Sequence, residues 1–133
     1  MPSNRRRSAA RRPPMACGVD VVELERLRRS LKTGGRAFMR RIFTEREEAY
    51  AKARKRTTLL HLAGRFASKE AVIKALSQMD PRRVPAMNQI EICNDRLGRP
   101  SVHLRDGRRR RLTIHISLSH VDTVAVASAI VTR

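Results

Sequence analysis

An α+β domain, with helices packed on antiparallel strands, is predicted from three features of the chain. A strand-like apolar run at 16–22 is followed by segments of helical period, the longest over 59–79. Leu112, Ile114, Ile116 and Leu118 then alternate with Thr113, His115, Ser117 and Ser119, the period of a half-buried strand. Residues 124–131 are small and apolar on both alternating sets, as suits a strand covered on both faces. One strand, then helices, then strands joined by short turns is an α+β order rather than a repeat of βα units. With 133 residues the chain has material for one core and one domain.

Taken in order, residues 1–14 carry Arg5, Arg6, Arg7, Arg11 and Arg12 without an acid, and read as a disordered basic leader to a domain spanning 15–133. Structured sequence begins directly after Met15, which makes that residue a candidate start. After the first strand, Val22, Leu24, Leu27 and Leu31 form a helical stripe, with Glu23, Glu25, Arg26, Arg28 and Arg29 mostly outside it. Gly34-Gly35 is expected to end this helix. Phe38, Ile42 and Phe43 mark a short apolar turn. Thr44 with Glu47 three residues on is a capping box, and the helix it opens carries acids first and bases last, as the macrodipole favours. In the 59–79 helix, Leu62, Phe66, Ile73 and Leu76 fall within an arc about 80° wide, at about 100° per residue. Glu70 falls about 40° beyond its edge, with Lys74 beside it. Asp80-Pro81 stops the helix. Short strands at 89–93 and 101–104 flank the turn Asn94-Asp95-Arg96-Leu97-Gly98. Arg108-Arg109-Arg110-Arg111 reads as a solvated charge run, and His120-Val121-Asp122-Thr123 turns the chain between its last two strands.

The chain holds 30 basic and 12 acidic residues, a formal charge of +18. Such a field attracts nucleic acid, anionic membrane, polyphosphate ligands or an acidic protein without choosing among them. Three Phe, one Tyr and no Trp leave the core aliphatic and offer no aromatic platform for stacking bases. No finger, helix-turn-helix or RNA-recognition pattern is present. Cys17 and Cys93 lie in apolar runs and read as small buried hydrophobes, with no disulfide framework or zinc spacing. No apolar run reaches membrane-spanning length, and no hydrophobic stretch follows the Arg-rich start as a secretory signal requires. The expected location is cytoplasmic.

Against this basic background, two carboxylates stand in places where burial is expected. Asp20 lies inside Gly18-Val19-Asp20-Val21-Val22, and Glu70 borders the buried arc of the long helix, flanked by Arg65, Lys69 and Lys74. A pair of such acids beside cations suits a hard cation adjoining a phosphate. Each acid taken singly is also what a strand-end cap or a Glu–Lys i,i+4 pair would look like.

The ordered segments resemble the holo-acyl-carrier-protein synthase family, the small 4'-phosphopantetheinyl transferases. The likeness is carried by Gly18-Val19-Asp20-Val21-Val22-Glu23-Leu24-Glu25-Arg26-Leu27, Arg41-Ile42-Phe43-Thr44-Glu45-Arg46-Glu47 and Gly64-Arg65-Phe66-Ala67-Ser68-Lys69-Glu70-Ala71 with Lys74-Ala75. Asn94-Asp95 with Leu97-Gly98-Arg99-Pro100, then Ile116-Ser117-Leu118-Ser119-His120, complete the order. The resemblance implies the phosphopantetheinyl transferase fold and a homotrimer with coenzyme A in clefts between subunits. It implies Asp20 and Glu70 as Mg²⁺ ligands against the pyrophosphate, and Lys74 facing the phosphates. Arg65, Lys69, Ser117, Ser119 and His120 would line the same coenzyme A site. The implied activity moves 4'-phosphopantetheine from coenzyme A to a serine of an apo acyl carrier protein. Glu70, Lys74 and His120 are then the catalytic candidates, with Glu70 and His120 both open as acceptors of the serine proton. Because carrier proteins are acidic, Arg26, Arg28 and Arg29 on the first helix form the expected docking face. Where relatives continue with Gly-Thr-Gly after the lysine, this chain has Ser77-Gln78-Met79-Asp80-Pro81. The competing readings are a small basic nucleic-acid-binding protein, and a non-catalytic relative, for which that missing glycine loop is the support.

Overall fold

The computed structural model describes residues 12–108 and 110–133, and in it the predicted α+β architecture is present. Five strands and three α-helices follow in the order β1 (Met15–Glu23), α1 (Leu24–Ile42), α2 (Glu45–Lys52), α3 (Thr58–Met79), β2 (Ile90–Asn94), β3 (Pro100–Leu104), β4 (Thr113–His120) and β5 (Val124–Thr132). β1, β5 and β4 form one antiparallel sheet in that order, and β2–β3 a separate hairpin. Of the expected leader, residues 1–11 lie outside the described residues. Arg12–Pro14 belong to the folded unit instead: the Arg12 guanidinium lies 2.9 Å from Asp80, and the Arg133 N–H donates to the Pro14 carbonyl.

The three-stranded sheet turns one face to α3. Ala16 and Val22 on β1, and Ala125, Ala127, Ala129 and Val131 on β5, are buried there. The opposite face carries Val19, Val21 and Ile130, which are exposed, as is Cys17. β5 is therefore covered on one face within the chain, not on both, and Cys17 is not a core residue. Strand alternation decides this: Val19 and Val21 stand opposite Ser128 and Val126, all on the side away from the helix.

α3 is buried on nearly all sides, from Leu62 through Met79. The face it turns to the sheet is a stripe of small residues rather than the predicted arc of large ones. Ala63, Ala67, Ala71 and Ala75 are wholly buried, whereas Phe66 and Ile73 are only half-buried. Small side chains let the helix backbone come close to β1. A Cβ added to Gly18 would meet the Ala71 carbonyl oxygen at 2.1 Å and the Lys74 Cβ at 3.0 Å. Only glycine permits that approach.

Gly34-Gly35 kinks the first helix instead of ending it. Gly35 adopts φ 56°, and helical structure resumes through Ile42, so Phe38 and Ile42 belong to a helix and not to a turn. The Arg36 guanidinium after the kink pairs with Glu48 of α2. The capping box at Thr44 and Glu47 forms as expected: Thr44 N–H donates to Glu47 Oε2 at 2.9 Å, and Glu47 N–H to Thr44 Oγ1 at 3.3 Å. The β2–β3 turn also forms, with Gly98 at φ 78° and Asp95 accepting from the N–H groups of Leu97 and Arg99. His120 closes β4 rather than starting the turn. Among the described residues no helix is long and apolar enough to cross a membrane.

Candidate functional site

The close contact at Gly18 is what assembles the site. It holds β1 against the middle of α3, so that Asp20, two residues further along the same strand face, comes beside Glu70 and Lys74 one helical turn apart. Lys74 Nζ donates to Asp20 Oδ1 at 3.0 Å and to the Val19 carbonyl at 2.9 Å. Asp20 is mostly shielded and Lys74 half exposed. Burial raises the proton affinity of the Glu70 carboxyl, the Asp20 charge raises it further, and the Lys74 charge opposes both. A carboxyl whose charge is disfavoured by burial and by a neighbouring carboxylate is an arrangement that binding a divalent cation would relieve.

Asp20 and Glu70 line a cleft of about 520 Å³, whose wall is completed by Val22, Leu27, Phe38 and Phe66, with Arg26 and Ser30 on α1. Glycine at 34 makes room for Phe38 within the kinked helix: a Cβ there would stand 2.4 Å from the Phe38 Cβ. Arg26 and Arg29 flank a shallower depression that adjoins the cleft through Arg26, Ser30 and Phe38. Arg28 is not part of it. Two residues from Arg26, it points to another side of α1 and pairs with Glu25 at 3.3 Å. The three arginines expected to act together thus divide into a pair beside the cleft and one apart.

Lys69 requires the largest correction. Its side chain is fully buried, with Nζ 2.6 Å from Glu47 Oε2 and donating to the carbonyls of Ile42 (2.5 Å) and Met87 (3.1 Å). Burial pushes its pKa down and the Glu47 charge partly restores it. It clamps α3 to the end of α1 and to α2; all its N–H donors are committed, and none is free to meet a ligand in the cleft. About 100° separates it from Glu70 on the helix, which places the two on different sides. Glu47 also accepts from the Ile92 N–H at 2.7 Å, tying in β2. The capping motif at Thr44–Glu47 was legible in sequence; the role of Glu47 as an interior counter-ion was not.

Arg65 shares that face. It donates to Asn94 Oδ1 at 3.0 Å and lies over the Tyr50 ring at 3.9 Å, and burial lowers its pKa. Arg54 covers the Tyr50 ring as well, at 3.3 Å, and His61 meets it edge-on with ring centroids 5.5 Å apart. Burial, then the charges of Arg65, Arg54 and His120, lowers the His61 pKa. His120 therefore belongs to a second, basic area around His61, Arg54 and Arg65 that sequence reading did not group. Its strand position explains why it stays away from Asp20: β5 lies between β1 and β4. Ser117 and Ser119 turn to the opposite sheet face, around a depression they share with Val19, Val126 and Ser128. One chain thus unites Asp20, Glu70 and Lys74, and leaves Arg65 with His120, and Ser117 with Ser119, as separate groups. Among the described residues no cluster of three or more His, Cys, Asp or Glu is placed to hold a metal. Two carboxylates alone remain, a set that suits Mg²⁺ sharing its other positions with water and substrate phosphates.

Comparison with known proteins places the chain in a family. The model of the 4'-phosphopantetheinyl transferase superfamily matches residues 16–129. The holo-[acyl-carrier-protein] synthase of Geobacillus kaustophilus is 42% identical over 118 residues, covering 87% of each chain. That of Ruminiclostridium cellulolyticum is 37% identical over 124 residues, 88% of this chain and 91% of its own. Among solved structures, a holo-(acyl-carrier-protein) synthase from Bacillus anthracis in complex with CoA (3',5'-ADP) superposes with TM-score 0.73 at 33% identity, covering 88% of this chain and 95% of that one. The Chronobacterium ammoniagenes ACPS–CoA complex gives 0.77 at 29% identity, with 90% and 98% covered. The chain belongs to the 4'-phosphopantetheinyl transferase superfamily.

Proposed function

We propose that the protein transfers 4'-phosphopantetheine from coenzyme A to a serine hydroxyl of an apo acyl carrier protein, with release of 3',5'-ADP. The observation that carries this is the meeting of Asp20 and Glu70 on one cleft, with Lys74 bonded to Asp20 behind them, in a chain of this superfamily. In the reaction, the serine oxygen forms a bond to the phosphorus that bears pantetheine. The bond from that phosphorus to the oxygen of the departing 3',5'-ADP breaks. Such a transfer asks the protein chiefly for positioning and charge neutralisation.

Asp20 and Glu70 are the residues that would hold Mg²⁺, and the fit rests on their chemistry: two oxygen donors, one with raised proton affinity, with no third His, Cys, Asp or Glu grouped with them among the described residues. When bound, the ion supplies charge neutralisation to the phosphate oxygens. Lys74 is placed to exchange its bond to Asp20 for one to a phosphate, since it is half exposed and long enough to swing. Phe38, Phe66 and Leu27 shield the cleft from water on one side. Within one chain Glu70 is the candidate acceptor of the serine proton at this cleft; His120 joins it only if a second subunit presents it.

That second subunit is part of the proposal. The outer sheet face exposes Val19 (58%), Val21 (60%) and Ile130 (46%) together, beside Ser117 and Ser119. A contiguous apolar surface of this kind favours association, and a homotrimer would bring Ser117, Ser119, His120 and Arg65 of one chain toward the Asp20 cleft of another. Acidic carrier protein would dock on Arg26 and Arg29. Of the competing readings, the intact Asp20–Glu70–Lys74 set speaks against a non-catalytic relative. The +18 charge finds sufficient use in phosphates and an acidic protein partner without nucleic acid.

The test is incubation with coenzyme A, Mg²⁺ and an apo acyl carrier protein, followed by mass spectrometry of the carrier. The wild type adds the phosphopantetheine mass. Asp20→Ala and Glu70→Ala each abolish the addition; full activity in both variants would remove the cleft from the mechanism.

A further inference from the structure

At the C-terminal end of α3, four separate stretches of chain bring arginines to one small cavity. Arg12 precedes β1, Arg83 follows α3, Arg110 and Arg111 precede β4, and Arg133 follows β5. The cavity measures about 200 Å³ and shares no lining residue with the Asp20 cleft. That is below the about 300 Å³ at which pockets begin to enclose drug-sized ligands, and suits a small ion.

Arg110 departs from what a charge run should do. Its side chain is only 10% exposed. Nη2 donates to the Arg83 carbonyl at 2.7 Å and lies 2.7 Å from Asp106 Oδ2, while Nη1 is buried and has no hydrogen-bond partner among the described residues. Buried guanidinium N–H groups are otherwise paired. The acids present do not balance the cluster. Asp80 is already engaged by Arg12 at 2.9 Å and Arg83 at 3.8 Å, and Asp106 by Arg110, so five guanidiniums face two carboxylates. The C-terminal carbonyls of α3 add a partial negative charge equivalent to roughly half a unit, and the cluster stays net positive.

We propose that this cavity binds a phosphate-type oxyanion, free or as the end of a small phosphomonoester, distinct from the phosphates at the Asp20 cleft. The planar, multiply donating guanidinium matches tetrahedral oxyanions, and Arg111 and Arg133 line the cavity outside any ion pair among the described residues. A bound anion would tie the beginning of β1, the end of β5 and the approach to β4 to the segment after α3. It would also quench the repulsion among the arginines.

The experiment titrates the full chain with inorganic phosphate, and separately with phosphoserine, against chloride at matched ionic strength. Thermal denaturation and calorimetry are read in the presence of saturating 3',5'-ADP and Mg²⁺. The expected result is a melting temperature that climbs with the logarithm of phosphate concentration, and a dissociation constant below about 1 mM. Arg110→Gln should weaken binding at least tenfold. Should that variant fold poorly, the exposed pair Arg83→Gln and Arg111→Gln should give the same loss with unchanged transfer activity. Preference for phosphoserine assigns a phosphomonoester, and equal affinity assigns the free ion. No response beyond that to chloride, an unchanged response in the folded variants, or stoichiometric displacement of phosphate by 3',5'-ADP each overturns the site.

Discussion

Replacing Gly18 with alanine tests whether the β1–α3 contact builds the active site. The added Cβ would stand 2.1 Å from the Ala71 carbonyl oxygen, and the shortest separation real Cβ atoms accept is near 3.0 Å. The strand must then retreat by about 0.9 Å, the difference between the two. Two opposing effects on stability follow. Gly18 is not among the positive-φ glycines, so alanine restricts the unfolded chain and by itself stabilises by about 0.4–1 kcal/mol. Overpacking against a helix carbonyl costs about 1–3 kcal/mol, and the atom it meets is backbone that cannot rotate away. Overpacking wins, leaving a net loss of about 1–2 kcal/mol. Catalysis should suffer more than stability. Asp20 moves with the strand while Glu70 stays with the helix, and a displacement near 1 Å at reacting groups costs on the order of 100-fold. Urea denaturation gives the first quantity and carrier-protein mass shift over time the second. A Gly18→Ala protein with wild-type denaturation midpoint and wild-type turnover would refute the claim that this contact positions Asp20.

Lys69→Met leaves Glu47 buried without its counter-ion and should cost about 3–5 kcal/mol in chemical denaturation. The double variant Lys69→Met with Glu47→Leu should recover part of that loss, which a direct ligand role for Lys69 would not anticipate. Glu48 has its pKa lowered by hydrogen bonds from Arg36 and Lys52. The folded state therefore holds its proton less tightly than the unfolded chain, and its stabilisation is present above the unfolded value of 4.5 and lost as pH falls through the folded one. Glu48→Gln should cost about 1–2 kcal/mol at pH 7, with the difference from wild type closing in melts taken progressively below pH 4.5. Charge reversal at Arg26 and Arg29 should raise KM for carrier protein and leave that for coenzyme A nearly unchanged, while Arg28→Glu does neither; equal effects of all three would argue for bulk charge instead of a docking face. Val126→Glu on the outer sheet face should give monomers by light scattering and loss of transfer. A charge at Ala127, on the helix side and 1% exposed, should instead unfold the chain.

The sequence by itself determined the element order, the capping box, the β2–β3 turn and the identity of the two acids that meet at the cleft, with the lysine that pairs with one of them. These rest on local physics: a side-chain period, a cap reaching three residues, a glycine at positive φ, and a motif read as a contiguous string. It also placed Glu70 beside Lys74, because one helical turn relates them whatever the surroundings. What it could not decide is which partner each charge meets across the fold. Periodicity locates a polar face only when a helix has one, and α3 is enclosed on nearly all sides, so Lys69 and Glu70, neighbours in sequence, went to an interior ion pair and to a cleft respectively. Gly18 owes its importance to the Ala71 carbonyl, which lies on another element and was invisible to any window of the chain. Likewise the arginine run at 108–111 read as solvated, and only its packing against the segment after α3 and Asp106 buried Arg110. Local preference follows from a residue and its few neighbours. Burial of charge follows from segments distant in sequence closing around it, and that was decided by the tertiary structure alone.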